Sequence, residues 1–156
     1  MPTIEESTEV QVPVTTAYNQ WTQFEEFPSF MEGVERVEQR DDTHLHWVAD
    51  FGGERHEWDA EITEQIPDER VAWRNTDGKA NAGVVTFHRL GDDRTKLMVQ
   101  MDWVPDGIKE RIGSSLGFDN RRVQGDLKRF RELIESQGVE SGAFRGEVDR
   151  GRRTDR

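Results

Sequence analysis

Between residues 43 and 103, large apolar side chains return at every second position, run after run. In "THLHWVADF" (43–51) they are Leu45, Trp47, Ala49 and Phe51; in "ERHEWDAEI" (54–62) Trp58, Ala60 and Ile62 share a face with His56; in "TKLMVQMDW" (95–103) they are Leu97, Val99, Met101 and Trp103. Successive side chains of a strand point to opposite faces, so this alternation predicts strands with one buried face. Six runs fit: 33–40, 43–51, 54–66, 70–75, 84–90 and 95–104. They are divided by Asp41-Asp42, by Gly52-Gly53 (suited to a primed hairpin turn), by Pro67-Asp68-Glu69, and by loops at 76–83 and 91–94. Connections this short make neighbours antiparallel. The result is a six-strand meander, with 3–12 as a candidate seventh strand. Two runs are less decisive by parity. In 84–90, Val85 and Phe87, with Gly83, are taken as inward over Val84, Thr86 and His88. In 70–75, Val71 and Trp73 are inward and Arg74 outward.

The period changes at two places. "VTTAYNQWTQFEEFPSFM" (14–31) reads as helical, with Thr15 or Thr16 as N-cap and Pro28 dividing it into two short helices. Pro105 stops the last strand, "DGIKERIGSSLG" (106–117) predicts a helix, and Asp119 or Asn120 is placed to cap a long helix over 121–138. On that helix Val123, Leu127, Phe130 and Ile134 form one stripe with Leu133 on its flank. Gly125 falls on the opposite side, although a mid-helix glycine costs ~1 kcal/mol against alanine; a bend or a close contact with another segment would account for it. Asp126 falls at the edge of the stripe, either as a rim carboxylate or as a polar group bordering a cavity. Beyond Gly138 apolar periodicity ends. Residues 1–140 therefore read as one α+β domain and 141–156 as a tail, disordered over about its last ten positions.

Composition narrows the function. The formal net charge of -11 opposes nucleic-acid binding, which needs a basic face. There is no cysteine, which excludes disulfides and thiolate chemistry. No apolar run approaches the ~20 residues that span a bilayer. The acidic start "MPTIEESTEV" has no hydrophobic segment, so a cytoplasmic location is expected. Five Trp and eight Phe concentrate the apolar content in large rings. Trp47, Trp58, Trp73 and Trp103, one on each of four strands, crowd the inward face; the same pattern serves a solid core or a cavity lining.

Strand, helix pair, meander and one long C-terminal helix make the layout of the helix-grip fold. The segments "YNQWTQFEEFPSFMEGVERVEQRDDTHLHW", "WDAEITEQIPDERVAWRNTDG", "NAGVVTFHRL", "RRVQGDLKRFRELIES" and "GAFRGEV" resemble the polyketide cyclase/dehydrase group of the START-like (SRPBCC, birch-pollen-allergen-like) superfamily, in the subgroup similar to coenzyme-Q-binding START domains. The resemblance implies a curved antiparallel sheet of about seven strands gripping the C-terminal helix, with an apolar cavity between them. It implies a lipid-, quinone- or polyketide-like ligand and no cofactor. Carried onto this sequence, the expected ligand-binding residues are Phe30, Trp47, Trp58, Trp73, Asn81, Val85, Phe87, Met101, Trp103, Val123, Leu127 and Phe130.

Catalytic chemistry is harder to read. His44 and His46 have a chelating spacing, but on the polar face of their strand, and no metal site is expected. His56 and Asp126 are the candidates for proton transfer, with core or rim roles as the alternatives. Arg74 would reach a substrate carbonyl only if its strand had the opposite parity. No nucleophile elbow, phosphate loop or dinucleotide fingerprint is present. Phe24, Phe27, Phe30 and Met31 would plug one end of the grip, or form a lid touching a membrane transiently; Glu25, Glu26 and Glu32 oppose docking on anionic lipid. The expected function is binding of a hydrophobic small molecule. A polyketide aromatase/cyclase or dehydrase, and a protein-interaction module of the chaperone-cofactor type, are the alternatives. The sequence assigns no oligomeric state.

Overall fold

The alternating runs form one antiparallel sheet in the computed structural model, which describes residues 3–51, 53–76, 81–103 and 120–154. Its strands are β1 (Thr3–Val10), β2 (Val34–Gln39), β3 (His44–Phe51), β4 (Glu54–Ile66), β5 (Arg70–Asn75), β6 (Asn81–Gly91) and β7 (Arg94–Trp103). The order is β1-β7-β6-β5-β4-β3-β2, so the first strand closes against the last and every other pair is consecutive in sequence. Register brings the large residues into rows. Trp47 lies opposite Trp58 on β3 and β4. A second row runs Ile62, Trp73, Gly83, Met101 and Ile4 across β4, β5, β6, β7 and β1. Both parity choices hold: Val71, Val85 and Phe87 are buried, and Arg74 points out to pair with Glu61. Gly83 has a steric reason. A Cβ there would lie 2.5 Å from Cζ2 of Trp73, so the indole crosses β6 only because position 83 carries no side chain.

Two short helices follow β1 as expected, α1 (Val14–Trp21) and a 3-10 helix (Phe24–Ser29), but the break falls at Thr22–Gln23 and Pro28 lies inside the second helix instead of dividing the two. The cap differs from expectation. Neither threonine caps α1; the N-cap is Pro13, whose carbonyl accepts the Ala17 N–H at 3.1 Å. Proline's fixed φ starts the helix before the threonines are reached. The Thr15 hydroxyl donates to Asp68 instead, at 2.9 Å.

The long helix α2 (Asn120–Gln137) buries Val123, Asp126, Leu127, Phe130 and Ile134 and lies against β1. It ends at Gly138, whose φ of +76° and N–H bond to Ile134 make a left-handed stop. The expected helix at 106–117, the cap candidate Asp119, and the side chains of Asn81 and Trp103 lie outside the described residues.

The tail is a correction. Residues 141–154 do not trail away: Val148–Asp149 (β8) and Arg152–Arg153 (β9) form a small hairpin, and β8 pairs with β4 at Glu64 and Gln65. β3 covers β4 only to Glu61, which leaves that stretch of edge unpaired until β8 closes it. Val148 is buried there, and Arg145 ties the tail to Asn19 and Asp68, at 2.8 Å each. Polar tethers and one valine do this, which is why apolar periodicity gave no sign of it.

Candidate functional site

Between the sheet and α2 lies a cavity whose wall is almost entirely apolar. About 60 Å³ of it is open to the centres of water molecules, within an envelope of about 560 Å³ that includes part of its mouth. Trp47, Trp58, Trp73, Asn75, Val99 and Met101 line it from the strands, Val123, Asp126 and Leu127 from α2, and Trp21 and Met31 from the segment between β1 and β2. Trp47 and Trp58 stack at 13° with centroids 5.6 Å apart, making one flat aromatic wall.

A second, smaller chamber adjoins the first. It is lined by Phe24, Phe27, Leu45, Ile62 and Val71, together with Trp21, Met31, Trp47 and Trp73, which it shares with the main cavity. Those four side chains border both chambers.

Of the residues expected to bind ligand, Trp47, Trp58, Trp73, Met101, Val123 and Leu127 are on the wall of the main cavity. Phe30, Val85, Phe87 and Phe130 are not among the described wall residues; they are packed in the core, Phe130 edge-on to Phe30 and Trp21. Phe24, Phe27 and Phe30 are buried rather than turned outward, so the 3-10 helix plugs the grip and offers no ring to a membrane surface. Trp21, Met31, Asn75 and Val99 are additional. Val99 was placed inward by alternation; Asn75 was not assigned, though it shares the parity of Val71 and Trp73.

Asn75 and Asp126 are the two polar members among the described wall residues. The Oδ1 of Asn75 is shielded from solvent and has no hydrogen-bond partner among the described residues. Asp126, 4% exposed, uses Oδ1 to accept the Glu32 N–H at 2.9 Å and the Arg129 guanidinium. Burial pushes its carboxyl up to about 6; the Glu32 N–H and Arg129 pull the other way and are outweighed. Arg129 also donates through Nε to the Phe30 carbonyl at 2.8 Å, and Arg122 donates to the Glu32 carbonyl at 3.1 Å. Three residues of α2 thus clamp the backbone on both sides of Met31.

The clamp also explains Gly125. A Cβ at that position would lie 3.3 Å from both terminal nitrogens of Arg129. The bare backbone of α2 gives the guanidinium room to fold back toward Asp126.

The histidines lie elsewhere. His46 bonds Asp59 at 2.7 Å and Glu57 at 3.0 Å on the outer face of the sheet; the bond to Asp59 first, then that to Glu57, raises its pKa. His44 bonds Asp41 at 2.9 Å. His56 is half-buried, 4.0 Å from Glu54, and is not among the described wall residues. No group of three or more metal-ligating side chains occurs among the described residues. No helix among them is long and apolar enough to cross a membrane.

Residues 10–132 match the family model described as polyketide cyclase / dehydrase and lipid transport. An uncharacterized 17.2 kDa protein of Streptomyces lincolnensis, encoded in the melC2-rnhH intergenic region, is 62% identical over 149 residues, covering 95% of this chain and 99% of its own. Among solved structures, the Zhui aromatase/cyclase of Streptomyces sp. R1128 superposes with a TM-score of 0.71 at 16% identity, over 92% of this chain and 99% of that one. A START superfamily protein of Mycobacterium smegmatis gives 0.66 at 13% identity, over 86% and 95%. At such identities these two structures establish the shared helix-grip fold.

Proposed function

We propose, from the premise that the chain belongs to the polyketide cyclase / dehydrase and lipid transport family, that it binds a hydrophobic, ring-bearing small molecule between the sheet and α2. One observation carries this reading. Nine of the eleven described residues around the main cavity are apolar, four of them tryptophans, and they enclose open space instead of closing into core. Pockets of this make-up, mostly apolar with a few placed polar groups, are what small-molecule sites look like. The stacked Trp47–Trp58 pair offers a planar face to a planar ligand.

Native against denaturing mass spectrometry of freshly purified protein, with organic extraction of what dissociates, tests it. A released apolar compound supports the reading. A bare mass, followed by no uptake of added aromatic compounds, overturns it.

A second reading, polyketide cyclisation or dehydration, is favoured by Asp126. Its carboxyl, held at about 6, exchanges a proton near neutral pH on an otherwise dry wall, as proton transfer to a folded poly-β-ketone requires. The shared fold of the Zhui aromatase/cyclase is in keeping with it. Here Asp126 is the acid/base, Asn75 orients a substrate oxygen, and His56, away from the described wall, takes no part. Turnover of a poly-β-ketone surrogate, abolished in Asp126→Asn, would support this reading. Unchanged turnover in that variant would remove Asp126 from it.

A further inference from the structure

The geometry points to Met31 as a gate between the two chambers, and hence to an elongated ligand, a ring system carrying an apolar extension, that spans both. This rests on the ligand-binding reading above. Four side chains border both chambers, and three are fixed by what they touch. Trp73 lies in contact with Gly83, against the backbone of β6. Trp47 is stacked on Trp58. Trp21 is held by three rings, with centroids 5.3 Å from Phe27, 5.8 Å from Phe30 and 5.2 Å from Phe130.

Met31 is different. It is half-buried, unbranched, and has three rotatable side-chain bonds ending in a polarisable thioether. Its backbone is held tightly. The Met31 N–H donates to Phe27 at 2.8 Å, its carbonyl accepts from Val34 at 3.2 Å, and Arg129, Asp126 and Arg122 hold the flanking Phe30 and Glu32. A fixed backbone with a pliant side chain moves by rotamer alone. Rotation of Met31 therefore joins the chambers without unlocking the three indoles. Each chamber by itself is small, with about 60 and 40 Å³ open to water centres, so a molecule with an apolar extension buries more of its surface by entering the second.

The test compares 4-ethylphenol, short enough to stay in the main cavity, with 4-octylphenol, whose chain would reach the second chamber, by calorimetric titration of the wild type, Met31→Ala and Met31→Phe. Met31→Ala removes the cost of turning a packed side chain off its rotamer. It is expected to raise the affinity for 4-octylphenol about fivefold relative to that for 4-ethylphenol. Met31→Phe puts a stiff ring in the gap and is expected to lower the affinity for 4-octylphenol at least tenfold relative to that for 4-ethylphenol. Equal shifts for both phenols in Met31→Ala overturn the gate while leaving the binding site intact. Failure of both phenols to bind the wild type overturns the ligand-binding reading, and the gate with it. Should Met31→Phe misfold, the Met31→Ala comparison decides alone.

Discussion

Replacing Asp126 by asparagine takes the ionisable proton off the cavity wall while leaving the side chain's shape and its acceptor oxygen in place. The native carboxyl titrates at about 6 against a reference of 3.8. Between those values the folded state holds a proton that the unfolded state has released, so stability falls as pH rises through the window. At about 1.36 kcal/mol per pH unit, the full effect is about 3 kcal/mol. From about pH 5, just above the isoelectric point of about 4.8, to about pH 7.5, roughly 1.4 kcal/mol of it is realised. The substituted amide never ionises and still accepts the Glu32 N–H and the Arg129 guanidinium. The stability of Asp126→Asn relative to wild type should therefore rise by roughly 1.4 kcal/mol over that range. Urea unfolding at four pH values, with wild type and variant side by side, measures it. A difference that stays constant with pH would mean that burial does not dominate the carboxyl. A difference that falls with pH would mean that Arg129 does, as in an ordinary ion pair, and would remove Asp126 as a proton donor near neutrality.

Other expectations follow from single contacts. Gly83→Ala places a methyl group 2.5 Å from the Trp73 indole; thermal melts should show a loss of about 1–3 kcal/mol, with a changed near-ultraviolet tryptophan signal. Gly125→Ala sets a helix-propensity gain of ~1 kcal/mol against crowding of Arg129, so it should stabilise more in an Arg129→Ala background than in the wild type. Equal effects in the two backgrounds would dissociate the glycine from the guanidinium. Asn75→Leu removes a shielded acceptor with no partner among the described residues and should stabilise the ligand-free protein by about 1 kcal/mol. His46 has its pKa raised by Asp59 and then Glu57, with Arg40 opposing. The stabilisation it brings is complete below its unfolded value and is lost as pH rises through the folded one. The deficit of His46→Gln in denaturant unfolding should accordingly be largest in acid and shrink in base.

The sheet and the face it buries were legible because period-two alternation is a direct image of a half-buried strand. Trp47, Trp58 and Met101 were assigned to the inner face from parity alone; in 70–75 and 84–90 parity was less decisive, and the choices made there agree with the burial of Val71, Val85 and Phe87. What alternation does not carry is how far an inward side chain stands from empty space. Phe87 and Phe130 share the pattern of Trp73 and Leu127, yet the first two fill core and the last two line the cavity. The difference is set by which neighbours meet across the gap between sheet and α2, and pattern along the chain is silent on that. The tail failed for a related reason. Its attachment depends on Arg145 reaching Asn19 and Asp68, a contact between residues far apart in sequence.

Gly125 and Asp126 break local rules side by side, one weakening the helix and one burying a carboxyl, and the two exceptions share a cause. Burying Asp126 is tolerable only with donors in place, and the donors are the Glu32 N–H and the Arg129 guanidinium. Arg129 reaches both Asp126 and the Phe30 carbonyl because position 125 has no side chain in its way. An apolar residue at 126 would bury more cheaply, but it would leave the Glu32 N–H without its acceptor and the turn that carries Met31 without its hold on α2. Two unfavourable residues on one helix thus fix the position of one flexible side chain at the wall of both chambers. If that placement is what they serve, Asp126→Leu should preserve the helix and loosen the turn. Amide exchange at Glu32 should then rise at least tenfold while exchange at Phe130, in the same helix, changes little. A uniform rise along α2 would instead mark Asp126 as a contributor to helix packing alone.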